Sequence, residues 1–69
     1  MTQTEMVLRY MQDFGSITPV DAMREFGCMR LGARIYDLKR DGHVIITERK
    51  KHKNRYGRKI SYARYKVVQ

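Results

Sequence analysis

The chain has 69 residues and carries 15 lysines and arginines against seven acidic residues, a net charge of +8 at pH 7. A chain of this length forms one small domain, because it buries only about 60% of its unfolded surface and leaves no room for a deep catalytic pocket. Since 42% of the residues are hydrophobic, a compact core is expected and the charge does not indicate a disordered chain.

The N-terminus predicts an amphipathic helix over about residues 3–14. The segment from Thr2 to Glu5 has the T-x-x-E form of a capping box, in which each side chain accepts a hydrogen bond from the other residue's backbone N–H. Gly15 can take the left-handed conformation that ends a helix. Apolar residues recur at spacings of three and four, and the side chains expected to be buried are Met6, Val7, Tyr10, Met11 and Phe14.

A short second helix is predicted over about residues 19–26. Ile17 lies in the brief extended connector before this helix and is expected to pack inward. Thr18 is a favourable N-cap and Pro19 is favoured at the first helical position, while Gly27 ends the helix. The side chains expected to be buried are Val20, Ala22, Met23 and Phe26.

A third helix is predicted over about residues 30–41, and Gly42 ends it. Only about two to four residues separate it from the second helix, a tight connection that is typical of a helix-turn-helix. At about 100° per residue, one side of this helix is apolar and is formed by Leu31, Ile35 and Leu38. The residues that point the other way, and are expected to be exposed, are Met29, Ala33, Tyr36 and Arg40.

The remainder of the chain predicts an antiparallel β-hairpin over about residues 43–68. Its two strand-like runs alternate weakly between the two faces of a strand, with Ile45 on one face and Ile46 on the other. The connection between the strands is expected to be long, about residues 50–59, with Asn54 and Gly57 as turn residues.

Positive charge is concentrated in residues 49–59, which hold seven of the fifteen lysines and arginines and no acid. Residues 1–48 carry six Lys/Arg against all seven acids, a balance of −1, whereas residues 49–69 carry nine and no acid, a balance of +9. One end of the protein is therefore suited to an anionic partner, and a phosphate backbone is the expected one.

The order helix, short strand, helix, helix, hairpin is that of an α+β winged helix-turn-helix domain, in which the hairpin is the wing. The chain resembles a family of small winged helix-turn-helix proteins whose pattern is roughly F-G-x-x-R-L-x-A-R-I-x-D-L-x-x-x-G, followed by an I-x-T strand. The matching residues are Phe26, Gly27, Arg30, Leu31, Ala33, Arg34, Ile35, Asp37, Leu38, Gly42, Ile45 and Thr47. Since such proteins are common in bacteriophages and prophages, the resemblance implies a phage-type DNA-binding protein. Gly32 is unexpected inside the third helix, where glycine costs about 1 kcal/mol relative to alanine, and indicates a frayed start or a close backbone approach.

In a winged helix the third helix enters the major groove, where arginine can read guanine. Arg30 and Arg40 are accordingly candidates for base or phosphate contacts. Arg34 lies near the apolar side, so it either contacts DNA or pairs with a neighbouring aspartate. Tyr36 either touches a base or sugar, or packs under the wing.

The wing of such a domain lies along the DNA backbone or in an adjacent minor groove. Seven cations within eleven residues repel one another, so phosphate contact explains them better than a solvated surface does. The candidate residues are Lys50, Lys51, Lys53, Arg55, Arg58 and Lys59.

No catalytic residue, metal site or other cofactor is predicted. Cys28 is the sole cysteine and is interpreted as a small buried hydrophobe, since a catalytic thiol would need a positioned base. His43 and His52 lie in the hairpin and fall short of a metal-ligand set. No window approaches the roughly 18 apolar residues of a membrane span, and no signal peptide is evident, so a cytoplasmic protein without a membrane partner is expected.

The sequence thus predicts a non-enzymatic protein that binds double-stranded DNA and acts as a transcription regulator or architectural factor of a phage or other mobile element. The alternative is a phage inhibitor that uses the winged helix to bind a host protein or nucleoprotein machine. A monomer and a weak homodimer both remain open, because no heptad or additional long helix indicates an interface.

Overall fold

The computed structural model describes residues 1–68 and contains three α-helices followed by two β-strands. The elements are α1 (Gln3–Phe14), α2 (Pro19–Phe26), α3 (Leu31–Arg40), β1 (Val44–Lys53) and β2 (Lys59–Val68). The two strands form an antiparallel hairpin, so the predicted α+β winged helix-turn-helix architecture is confirmed. The molecule is elongated, 39 Å long and 22 by 20 Å across.

Capping boxes fix the starts of α1 and α2. Thr2 Oγ1 accepts a hydrogen bond from the backbone N–H of Glu5 at 3.1 Å, and Glu5 Oε1 accepts one from the Thr2 N–H at 2.9 Å. Thr18 and Asp21 repeat this exchange at the start of α2, with distances of 3.2 and 3.0 Å. Each box satisfies two backbone donors that would otherwise lack partners within the helix.

The turn between α2 and α3 spans residues 27–30. Gly27 adopts a φ of +64°, a left-handed conformation that a residue with a Cβ rarely adopts. Its N–H donates to the Met23 carbonyl at 2.9 Å, and the Cys28 N–H donates to the Ala22 carbonyl at 3.1 Å. The Cys28 side chain is buried, as predicted, and the chain then enters α3 at Arg30, the N-cap residue.

The core is formed mainly by one face of each helix. On α3 the predicted apolar side is confirmed, since Leu31, Ile35 and Leu38 are all buried. Burial of side chains of this size stabilises the fold by about 1.5–3 kcal/mol each. The buried residues are Val7, Met11, Ile17, Ala22, Cys28, Leu31, Ile35, Leu38 and Ile45, with Leu8, Tyr10, Phe26, Tyr65 and Val67 packed against them.

Three side chains that were expected to be buried are exposed instead. Phe14 is 71% exposed because it ends α1, where its ring contacts Tyr10 at a centroid distance of 4.6 Å. Val20 and Met23 on α2 are 65% and 48% exposed. With only eight residues, α2 presents a narrow stripe to the core, and Ala22 with the half-buried Phe26 occupies it.

A single β-bridge joins the hairpin to the connector between α1 and α2. Ile17 forms an isolated antiparallel bridge with Tyr65 of β2, with both N–H···O hydrogen bonds at 2.9 Å. This bridge lies on the edge of β2 away from β1. Within residues 1–68, the outer edge of β1 has no strand paired to it.

The connection between the strands is shorter than the predicted 50–59. The register runs without interruption from Val44↔Val68 to Lys53↔Lys59, which leaves only residues 54–58 in the turn. Asn54 Oδ1 accepts hydrogen bonds at 3.0 Å from the backbone N–H groups of Tyr56 and Arg58. The prediction was wrong because a run of basic residues resembles a loop, although the backbone hydrogen bonds of a strand do not require apolar side chains.

Candidate nucleic-acid interface

The uninterrupted register separates the basic residues of the hairpin onto two faces. Side chains alternate along a strand, and directly paired residues of antiparallel strands share a face. Arg49, Lys51 and Lys53 of β1 therefore lie on the same face as Lys59 of β2; these four residues are named the cationic face. Neighbouring side chains of one strand on this face are about 6.7 Å apart. At the base of the same face, Ile45 is buried in the core.

The opposite face of the hairpin is partly neutralised. Arg64 Nη2 lies 3.0 Å and Lys66 Nζ 3.4 Å from Glu48 Oε1. The hydrogen bond from Arg64, with help from the surrounding cations, holds the pKa of the Glu48 carboxyl below its ordinary value. Lys50, a candidate DNA contact, lies on this face beside its strand partner Tyr62 and not with Lys51.

The turn at the end of the hairpin carries two further cations and an aromatic ring. Arg55 and Arg58 are both exposed, and Tyr56 between them is 87% exposed. The hydrogen bonds to Asn54 fix the backbone that presents them. Tyr56 was not among the predicted site residues, although its position between two arginines in a predicted turn was a usable signal.

The predicted contact residues of α3 and its N-cap differ in their exposure and in their acidic partners. Tyr36 is 66% exposed, so of its two predicted environments the structure shows the solvent-facing one. Arg34 Nε lies 3.2 Å from Asp37 Oδ2, and this side chain is two-thirds buried along the helix. Arg40 is more loosely placed, 3.7 Å from Asp37 and 3.9 Å from Asp41. Arg30 is exposed and its side chain makes no capping hydrogen bond.

The ion pairs within residues 1–68 show where uncompensated charge lies. Six of the seven acids pair with cations, and Glu5 is engaged in its capping box. The cations in ion pairs are Arg9, Arg24, Arg34, Arg40, Arg64 and Lys66. The remaining nine, which form no ion pair with any of the described residues, are Arg30, Lys39, Arg49, Lys50, Lys51, Lys53, Arg55, Arg58 and Lys59.

This distribution adds residues to the predicted site and separates its unpaired cations from its paired ones. All six predicted wing residues are uncompensated, as is Arg49, which was omitted from them. On α3 and its N-cap the uncompensated cations within residues 1–68 are Lys39 and Arg30, whereas Arg34 and Arg40 have acidic partners. Lys39 was missed because it lies in the last turn of the helix, where a cation is usual for reasons of helix stability alone.

The described residues do not indicate a metal centre or a membrane span. Among residues 1–68, no three or more histidine, cysteine and acidic side chains are grouped so that they could hold a metal ion. No helix in this part of the chain has both the length and the apolar character needed to cross a bilayer.

Comparison with known proteins identifies the family of the chain. No curated protein and no solved structure matches the chain significantly. A family model described as a winged helix-turn-helix domain matches residues 2–69, which is nearly the whole chain. Together with the three helices and the basic hairpin, this match shows that the chain belongs to the winged helix-turn-helix domain family, a kind of domain that supports nucleic-acid binding.

Proposed function

We propose that the protein is a non-enzymatic DNA-binding protein that places α3 in the major groove of double-stranded DNA and lays the hairpin along the phosphate backbone. The observation that carries this proposal is the distribution of uncompensated charge. Within residues 1–68, the nine cations without an ion pair are confined to α3, its N-cap and residues 49–59, and each acid is held in a cap or an ion pair. Such a segregated field attracts a polyanion.

The cationic face and the turn supply the phosphate contacts. Arg49, Lys51, Lys53 and Lys59 lie on one side of a two-stranded ribbon and can follow a continuous backbone. Arg55 and Arg58 extend the charge to the end of the hairpin. Lys50 lies on the other face and contributes mainly through the long-range field.

The outward side of α3 supplies the groove contacts. Within residues 1–68, Arg30 has no acidic partner and can reach a guanine or a phosphate. Lys39 adds a second free cation about two and a half turns further along, on the flank of α3. Tyr36 lies between them in sequence and is exposed, so its ring can contact a base or sugar. Arg34 and Arg40 would contact DNA only by sharing or leaving Asp37, and we assign them a secondary role.

The biological role that fits this chemistry is regulation of transcription, or shaping of DNA, by a cytoplasmic protein of a phage or other mobile element. The sequence pattern in residues 26–47 supports this role, since it resembles that of phage and prophage proteins. The phosphate contacts provide affinity, and the few side chains of α3 provide limited sequence reading.

A second candidate function is inhibition of a host protein or nucleoprotein machine. The observation that favours it is a shallow groove between the start of α2 and the hairpin, where the apolar side chains of Val20, Ile60 and Tyr62 are accessible. A protein partner would cover these side chains, whereas a duplex held by the cationic face would not need them.

Fluorescence anisotropy with a labelled duplex, measured from low to high salt, tests the proposal. If about five phosphates are contacted, the slope of log affinity against log salt is about −4.5. Absence of binding at low salt would refute DNA binding. A complex with a host protein that persists at high salt would instead support the inhibitor function.

A further inference from the structure

Gly32 occupies a position where nothing within the protein requires a glycine. It is the second residue of α3, and its φ is not among the positive values of the chain, so the backbone there is one that any residue adopts. A Cβ built onto it meets no atom within 4 Å. Neither backbone conformation nor internal packing therefore explains the residue, even though glycine is the weakest helix former after proline.

Gly32 is itself exposed, and large exposed side chains precede and follow it along the chain. Met29 precedes it and is 79% exposed, while the exposed ring of Tyr36 follows one helical turn later. Arg30 and Lys39 provide uncompensated charge before and after it. The backbone of α3 at residue 32 is therefore not covered by a side chain of its own, whereas large and charged side chains precede and follow it in the sequence.

We propose that Gly32 is a specificity-determining residue, which lets the backbone of α3 come into van der Waals contact with the wall of the DNA major groove. This inference rests on the proposed DNA binding. Close approach of a backbone to a ligand is one of the conditions that favour glycine over every other residue. Without a side chain at residue 32, the helix can lie closer to the bases, so that the side chains of Arg30 and Tyr36 can contact the base edges. A longer side chain there would hold the helix axis away from the groove and weaken those contacts.

A substitution series at residue 32 tests this inference. A duplex is first selected from a random pool with the wild-type protein, and binding of Gly32→Ala and Gly32→Gln to it is compared with binding to a non-selected duplex. We expect Gly32→Ala to raise the melting temperature by roughly 4 °C, because alanine is the better helix former. Its affinity for the selected duplex should fall about tenfold, and that of Gly32→Gln about a hundredfold. Affinity for the non-selected duplex, which depends on phosphate contacts, should change much less.

The control variant is Gln12→Gly, which makes the opposite exchange on the exposed side of α1. It should lower the melting temperature and leave the affinity for both duplexes unchanged. If Gly32→Ala and Gly32→Gln fold and bind the selected duplex as the wild type does, the close approach at Gly32 is refuted and DNA binding stands. If the wild type selects and binds no duplex at all, the proposed function itself fails.

Discussion

Replacing Lys51 and Lys53 together by alanine removes half of the cationic face without touching the core. Both side chains are exposed and neither has an acidic partner within residues 1–68, so the free energy of unfolding should change by no more than about 0.5 kcal/mol for each substitution. Binding, in contrast, should weaken for every duplex. The change therefore separates the proposed interface from the fold.

The magnitude follows from the number of phosphates that the variant no longer neutralises. Each neutralised phosphate adds about 0.9 to the steepness of log affinity against log salt, so removing two cations that contact phosphates flattens the slope by about 1.8. Taking the affinities of the variant and the wild type as equal at 1 M salt, the variant should bind about 60-fold more weakly at 0.1 M salt, a loss of about 2.4 kcal/mol. The assay is anisotropy of a labelled duplex over this range of salt concentration.

A matched control is available on the opposite face of the same hairpin. Lys50 and Lys66 are also lysines, and replacing both by alanine changes the net charge by the same amount. Because Lys66 pairs with Glu48 and Lys50 points away from the cationic face, this variant should flatten the slope far less. Equal effects of the two double variants would refute the assignment of the phosphate contacts to one face of the hairpin and would leave only net charge as the explanation.

Three further predictions concern α3 and the hairpin. Arg30→Ala should cost roughly 1–3 kcal/mol of binding in titrations with different duplexes while thermal melts stay unchanged, and a loss that is uniform across duplexes would indicate a phosphate contact instead of a base contact. Leu38→Asp should unfold the domain, because a carboxylate without a partner would be buried in α3, and a circular dichroism spectrum like that of the wild type would contradict the assigned core. Since the folded-state pKa of Glu48 lies below its ordinary value of 4.5, its stabilising effect is present above that pH and is lost as the pH falls through the lowered folded-state pKa. Melting temperatures measured between neutral and acidic pH should therefore fall less steeply for Glu48→Gln, and identical pH profiles would show that the pair with Arg64 contributes nothing.

Features governed by neighbouring residues could be predicted from the sequence. The capping box at the start of α1 depends on side chains three residues apart and forms as expected, and Thr18 caps α2 as predicted. The apolar side of α3 follows from helical periodicity alone, which is why Leu31, Ile35 and Leu38 were identified correctly. The inward packing of Ile17 was also identified correctly, because it is the apolar residue of a short polar connector between two amphipathic helices.

Features that depend on the assembled domain could not be predicted in this way. The exposure of Val20 and Met23 depends on how much of α2 the neighbouring elements cover, which no periodicity within eight residues can show. The ion pair between Arg34 and Asp37 depends on the rotamers of both side chains, which helical periodicity does not determine. The division of the basic residues into two faces required a strand where the composition indicated a loop.

The unpaired outer edge of β1 has a consequence for how the protein behaves at high concentration. A strand edge with free N–H and C=O groups can pair with the edge of another molecule and so start aggregation. In β1 the part near the core carries the exposed apolar side chains of Val44 and Ile46, whereas residues 49–53 carry four of the unpaired cations. Mutual repulsion between these cations keeps two such edges apart, so the charges that suit the hairpin to a polyanion also protect it from self-association. Variants that neutralise the hairpin should for this reason lose solubility as well as affinity.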